Sequence, residues 1–369
     1  MARRDVFWMT RALKLARRGA GRTAPNPCVG AVVVRHGRII GEGFHARYGG
    51  AHAEVVALRQ AGARARGAQL FVTLEPCDHT GQTPPCTETV LRSGIREVIC
   101  AMRDPHPLVN GRGLRRLRRA GVRVRVGLLR REAEALNRPF LTAIHQRRPY
   151  VTLKMAQTLD GKIATVTRRS RWITGAAARR IVHQLRRAAD AILIGVGTVL
   201  ADDPRLAVRA DGVPSARDPW KIIVDGRLRT PLSARVVRSA RRARVLIATT
   251  QRAPAARGRQ LTARGIHVAV LPSRRGRVRL AALHRLLLAR GVQHVLIEGG
   301  GEIAASALAE RLVDRVVWFV APKILGGTRA PTSVGGPGIA HLSRAIQLAG
   351  VSVRRVGSDL MITGDVVYS

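Results

Sequence analysis

Aromatic side chains are scarce: Phe, Trp and Tyr make up 3% of the 369 residues. That is too few for the stacking platforms on which single-stranded nucleic acid is held. Cysteine is scarce as well, at four. This excludes a disulfide framework and points to a reducing compartment, the cytoplasm. No apolar run approaches the length of a membrane span, and the N-terminus lacks the apolar core and cleavage site of a signal peptide. Acidic residues are few, 23 against 65 basic, for a net charge of +42. Such a balance suggests a polyanion partner. Yet the basic residues are spread over the whole chain rather than gathered in a stripe or tail, and nearly all are Arg. We therefore expect no specific nucleic-acid partner and no membrane partner, only weak attraction to anions.

What is present is a constellation around Ala51-His52-Ala53-Glu54, Pro76-Cys77 and Cys86. One imidazole and two thiolates are ligands that zinc takes, and a catalytic zinc keeps its fourth position open for water. Glu54, two residues from His52, is close to such a metal without being a ligand, which suits a proton shuttle. H-x-E followed by P-C and a second Cys is the signature of zinc nucleobase deaminases. Eight residues separate Cys77 from Cys86, where the generic deaminase has two. The Gly and two Pro in this insert mark a loop that overhangs the site and touches substrate. Cys28 and Cys100 are left over, Cys100 as a core residue.

The length predicts two domains, and a hydrophobic fraction of 46% supplies two cores. Helical spacing marks residues 6–19, 51–65, 86–92 and 114–120. Strand-like runs fall at 30–34, 39–44, 69–74, 96–102 and 122–127. This alternation predicts an α/β sandwich around one sheet, with ligands at helix starts. One amphipathic helix is expected over 132–145, then a boundary between 147 and 148. The pattern restarts with a strand at 151–156, a helix at 176–189 and a strand at 191–195; residues 251–280 read as a helix and a strand joined by exposed loops. Gly195-Val196-Gly197-Thr198 lacks the third Gly of a Rossmann fingerprint. Glu298-Gly299-Gly300-Gly301-Glu302, between a strand and a helix, is either a phosphate-binding turn or a plain connection.

The chain resembles the bifunctional deaminase–reductase family of riboflavin biosynthesis. The resemblance is carried by Pro25-Asn26-Pro27-Cys28-Val29-Gly30, Gly49-Gly50-Ala51-His52-Ala53-Glu54, Thr73-Leu74-Glu75-Pro76-Cys77, Gly81-Gln82-Thr83-Pro84-Pro85-Cys86, Ser170-Arg171-Trp172-Ile173-Thr174, Thr198-Val199-Leu200-Ala201-Asp202-Asp203-Pro204 and Ala321-Pro322-Lys323-Ile324-Leu325-Gly326. It implies an α/β fold class: a cytidine-deaminase-like α/β/α domain over 1–147 and a dihydrofolate-reductase-like α/β domain over 148–369. It implies one zinc per chain on His52, Cys77 and Cys86, with Glu54 as the catalytic proton donor. NADPH falls to Ala156, Trp172, a turn holding Thr198 and Asp202, and the segment Gly300, Gly301, Glu302, Ile303, Ala304, Ala305 and Ser306. Substrate, a pyrimidine ribosyl phosphate, falls to Ser170, Arg186, Leu206, Arg209 and Glu298. The resemblance favours the cofactor reading of the glycine turn. Asn26, His45 and His79 are candidates for holding base and ribose or, equally, loop caps; Lys154 is a candidate for polarising the sugar. A homo-oligomer, dimer or tetramer, is expected. The competing reading is a polynucleotide-binding deaminase acting on RNA bases, which would have no reason to bind NADPH.

Overall fold

The structure, a computed structural model, describes residues 3–210, 213–214 and 218–368, without the side chains of 209, 210, 213 and 214. The chain divides into two compact units, Met1–Arg147 and Arg148–Ser369.

In the first unit the elements run α1 (Arg3–Ala16), β1 (Gly30–Arg35), β2 (Arg38–Phe44), α2 (Ala53–Ala61), β3 (Gln69–Val72), α3 (Cys86–Arg92), β4 (Glu97–Cys100), α4 (Arg112–Arg119), β5 (Arg123–Val126), α5 (Arg130–Leu136) and α6 (Arg138–Gln146). The sheet order is β2-β1-β3-β4-β5, antiparallel at β2-β1-β3 and parallel beyond. Alternate residues of β1 feed two cores. Ala31 and Val33 pack with α2, α3 and α4, whereas Val32 and Val34 pack with α1. Gly41 and Gly43 of β2 let α2 lie directly on the strand: a Cβ there would come within 2.1 Å of Ala57 O and 2.3 Å of Ala53 O. That close approach fixes the start of α2.

The single helix expected over 132–145 is two. Asn137, 2% exposed, ends α5. Its Oδ1 accepts Cys28 N at 2.8 Å and its Nδ2 donates to Cys28 O at 3.1 Å. A side chain that mimics a strand neighbour 109 residues away interrupts a periodicity that is otherwise continuous.

The second unit continues β6 (Tyr150–Thr158), α7 (Ala176–Ala188), β7 (Ala191–Gly195), α8 (Val196–Asp202), the short pair β8 (Arg209–Ala210) and β9 (Val213–Pro214), β10 (Trp220–Val224), α9 (Arg235–Arg238), β11 (Val245–Thr249), α10 (Ala255–Thr262), β12 (His267–Val270), the hairpin β13 (Ser273–Arg274) and β14 (Arg277–Val278), α11 (Leu280–Ala289), β15 (His294–Ile297), α12 (Gly301–Ala309), β16 (Arg315–Ala321), β17 (Gln347–Val356) and β18 (Asp359–Val367). Nine strands form one sheet in the order β12-β11-β10-β7-β15-β6-β16-β18-β17. It is parallel from β12 to β16; β18 and β17 are antiparallel additions. The near-continuous apolar runs of β7 and β15 match burial on both faces. Thr198 and Asp202 sit on a short helix, α8, and not in a turn. Parallel strands β7 and β15 are neighbours and end at Gly195 and Ile297, opening a crevice where ligands bind in such sheets.

Candidate active sites

In the first unit, three chain segments meet at the end of β3. His52 is the extended residue that caps α2, and Cys86 is the first residue of α3. Cys77 follows β3 through a bend tied by Thr73 Oγ1, which accepts Gly30 N at 3.1 Å. His52 Nδ1 lies 3.1 Å from Cys86 Sγ and 3.6 Å from Cys77 Sγ. Among the described residues this is the one group of three such donors within 4.8 Å of one another.

Zinc–sulfur bonds of about 2.3 Å and zinc–nitrogen bonds of about 2.0–2.1 Å place tetrahedral ligand atoms roughly 3.5–3.8 Å apart. The 3.6 Å separation falls in that range and the 3.1 Å one is a few tenths of an ångström shorter, so the donor set fits zinc with a small adjustment. The Cys77 thiol is held down to about 4, first by a hydrogen bond from Cys86 and then by His52, while the Cys86 thiol is pushed well above its ordinary value. The imidazole of His52 is raised, chiefly by Cys77.

Glu54, in the first turn of α2, is 3% exposed. Burial first, and then the Cys77 thiolate, push its carboxyl up to about 7. A group that is half protonated at neutrality can both take and give a proton. Against the His52 ring, His45 Nδ1 faces Ala51 O at 3.1 Å, so that nitrogen carries the hydrogen and Nε2 accepts from Asn26 Nδ2 at 3.2 Å. Burial keeps His45 neutral. Cys28 lies outside the three-donor group, 3.6 Å from Thr23 Oγ1. Cys100 is buried and its thiol donates to Met102 O at 3.0 Å.

The insert between the cysteines is pinned at its first residue and at its middle. Asp78 Oδ1 accepts Thr87 Oγ1 at 2.7 Å and Arg116 Nη1 at 2.6 Å, and Gln82 Nε2 donates to Tyr48 OH at 2.9 Å.

The second unit holds a cleft of about 800 Å³ at the ends of β6, β7 and β15. Its walls bring together Ala156, Trp172, Thr198, Asp202, Gly300, Gly301, Glu302 and Ile303 with Ser170, Arg186, Leu206 and Glu298. Gly299 and Gly300 adopt φ of +100° and +82°, which the turn into α12 requires. No side chain caps α12, and a Cβ on Gly301 would lie 2.4 Å from Thr332 O. An uncapped helix start suits a phosphate; the glycine at 301 is required by the chain's own Thr332 carbonyl.

Residues 2–102 match the cytidine and deoxycytidylate deaminase zinc-binding region, and residues 149–362 match the RibD C-terminal domain. The riboflavin biosynthesis protein RibD of Aquifex aeolicus is 45% identical over 358 residues, covering 97% of both proteins. The protein of that name from Escherichia coli K12 is 40% identical, covering 97% of this chain and 98% of the other. Among solved structures, Acinetobacter baumannii RibD, form 1, aligns at a TM-score of 0.88 and 36% identity, over 99% of each chain. The chain belongs to the RibD family. As a RibD it is a bifunctional enzyme of riboflavin biosynthesis, a zinc deaminase joined to an NADPH-dependent reductase.

Several carried-over positions sit apart from the cleft wall or are engaged within the protein. Ala304 is fully buried in the core, and its amide donates to Gly300 O at 3.1 Å, so it lines no cleft. Ala305 and Ser306 are absent from the cleft wall, and Ser306 Oγ donates to Glu302 O at 2.9 Å. Only the first turn of α12 faces the cleft. Arg186 and Glu298 are bound to each other, Nε to Oε1 at 2.6 Å and Nη2 to Oε2 at 2.7 Å, with Nη1 on Ala207 O at 3.2 Å. Most of that guanidinium is thus engaged within the protein. The Arg209 side chain lies outside the described residues.

The sequence reading missed His183, Arg168, Arg179 and Arg205 in the same cleft. Among so many Arg residues, nothing local marks these three. Lys154 lines the cleft too; burial lowers its ammonium, against the pull of Glu298.

Proposed function

We propose that residues 1–147 hydrolyse the 2-amino group from 2,5-diamino-6-(5-phosphoribosylamino)pyrimidin-4(3H)-one, and that residues 148–369 then reduce the ribosyl group of the product to ribityl with NADPH. The observation that carries this is the convergence of His52 Nδ1, Cys77 Sγ and Cys86 Sγ beside the buried carboxyl of Glu54. His52, Cys77 and Cys86 would hold one zinc, which supplies an activated water when bound. Glu54 takes a proton at its carboxylate and returns it to the departing nitrogen, a double role that its pKa of about 7 supports. Asn26 and His45 form a fixed donor–acceptor pair at the rim, suited to orienting the base.

In the reductase cleft, NADPH supplies the hydride. The amides of Gly301 and Glu302 are assigned to its phosphates, with Ile303, whose own amide donates to Gly300 O at 3.1 Å, beside them and Thr198, Asp202, Ala156 and Trp172 along its length. Ser170, Leu206 and Arg209 are assigned to substrate. Glu298 and Arg186 act as a pair, and Lys154 beside them polarises the sugar. A homo-oligomer, dimer or tetramer, is the expected assembly, supported by β17, an edge strand exposed from Gln347 to Arg355 that includes Leu348, Val351 and Val353. A second copy would cover that edge; sedimentation showing only monomer at micromolar concentration would remove this part. No helix among the described residues is long and apolar enough to cross a membrane; the four free cysteines suit the cytoplasm.

The test is metal analysis with a coupled assay. Cys77→Ser and Cys86→Ser should lose zinc and deamination, and Cys28→Ser should keep both. Zinc retained at full occupancy in either ligand variant would refute the assignment.

A further inference from the structure

Glu75 stands two residues before Cys77, is 3% exposed and has no ion-pair partner among the described residues. Its carboxylate instead accepts four backbone amides from far along the chain. Asp104 N and Gly111 N reach Oε2 at 3.2 and 3.0 Å; Gly113 N and Leu114 N reach Oε1 at 3.1 and 3.4 Å. The last two belong to the first turn of α4, whose own N-cap residue, Gly111, offers no side chain. Glu75 supplies the anion that this helix start lacks. The contact is close enough to exclude a side chain: a Cβ on Gly113 would lie 1.9 Å from Pro76 O.

On the other side of Cys77, Asp78 Oδ1 accepts Arg116 Nη1 at 2.6 Å. Gly113 and Arg116 are about one turn apart on α4. Cys77 thus hangs between two carboxylates, both fixed to the same helix.

We infer that α4 positions the Cys77 sulfur through Glu75 and Asp78, making Glu75 and Asp78 positioning residues for the zinc group. The inference rests on Cys77 being a zinc ligand, as assigned above. The chemistry explains the choice of residue. All four groups facing Glu75 are donors, and a carboxylate is acceptor-only with room for four. Glutamine at the same place turns an NH2 toward two of them, so two hydrogen bonds are lost and donors oppose donors. The loss falls on the segment that carries the thiolate. Partners that orient a ligand are typically worth about 10–100-fold in metal affinity.

The experiment uses the full-length zinc enzyme. Zinc release into an excess of chromophoric chelator is timed for wild type, Glu75→Gln and Arg116→Met at a temperature where each is folded by circular dichroism. Each protein is also reloaded with cobalt, whose visible bands report ligand geometry. Glu75→Gln should release zinc about 10–100-fold faster and shift the cobalt bands, with NADPH oxidation on already deaminated substrate unchanged. Arg116→Met, altered at a half-exposed residue, should move both readouts the same way by a smaller factor; it decides the matter if Glu75→Gln does not fold.

A wild-type chain that binds no zinc overturns the site assignment and this inference with it. A wild type that holds zinc and loses it in Cys77→Ser, together with wild-type release rates and unshifted cobalt bands in folded Glu75→Gln and Arg116→Met, overturns this inference alone.

Discussion

Replacing Glu54 by Gln should separate the two activities of the chain. The substitution keeps size and shape in a site that is 3% exposed, so packing around α2 is preserved. It removes a carboxyl that burial, and then the Cys77 thiolate, push up to about 7. An amide can neither take nor return a proton. General acid–base help is worth roughly 10²–10⁴-fold, about 3–5 kcal/mol of barrier. Because one carboxyl serves both proton steps, the larger loss is expected. Glu54 is not in the three-donor group, so zinc should stay bound. The assay is twofold: ammonia release from the diaminopyrimidine substrate, and NADPH oxidation on already deaminated substrate. The first should fall to near background and the second should hold at nearly the wild-type rate. Deamination that survives would remove Glu54 as the shuttle. Reduction that collapses while zinc content and thermal stability are unchanged would refute independent sites.

Three further outcomes follow from the reductase unit. Glu298→Gln leaves the Arg186 guanidinium without its partner at a pair whose side chains are only 5% and 18% exposed; it should cost about 3 kcal/mol by chemical denaturation, and adding Arg186→Met should restore much of the stability but not reductase activity. Gly300→Val forces a β-branched residue into φ +82° with its Cβ 3.3 Å from Thr198 Oγ1, so calorimetry should find NADPH bound at least tenfold more weakly, about 1.4 kcal/mol. His284 is fully buried, neither ring nitrogen has a partner among the described residues, and burial, then Arg148, holds it down to about 4. The unfolded chain therefore binds a proton that the native state refuses between pH 6.5 and about 4. Stability present at pH 7 is lost as pH falls through that window, by about 3 kcal/mol in full. His284→Leu should flatten that slope, and an unchanged slope would assign the acid sensitivity elsewhere.

The three zinc donors could be read from the sequence because their chemistry is carried by residue type and short spacing. What remained hidden depends on partners far along the chain. The break at Asn137 answers to Cys28, 109 residues away. The pairing of Arg186 with Glu298 spans 112 residues. In both cases the local pattern was correct and incomplete: the helix period does run through Asn137, and both pair members do line the cleft. Residues 300–306 show the opposite case. A contiguous segment was assigned to the cofactor, but a helix presents contiguous residues to different sides. Its period turns Ala304 into the core and leaves only the first turn facing the cleft.

The shortage of carboxylates makes those present informative. An exposed acid among 65 basic residues gains a surface ion pair worth about 0–1 kcal/mol, so little is lost without it. A buried carboxylate that accepts backbone amides makes charge-assisted bonds worth about 1.5–3 kcal/mol each and leaves orphaned donors if removed. Several acids of this chain, buried or half-buried, take the second role. Glu75 holds four amides, Asp190 those of Gln293 and His294, Glu310 those of Leu280 and Ala281, and Asp359 that of Gly175. Asp314 holds Val151 N together with Arg148, and Asp225 holds Thr230 through both its amide and its hydroxyl. Arginine carries the reverse weight. With so many on the surface, a single one says little about function, and Arg186 stands apart only because Glu298 lies against it. In a chain of this charge, the residues that specify the fold and the sites are best sought among the acids.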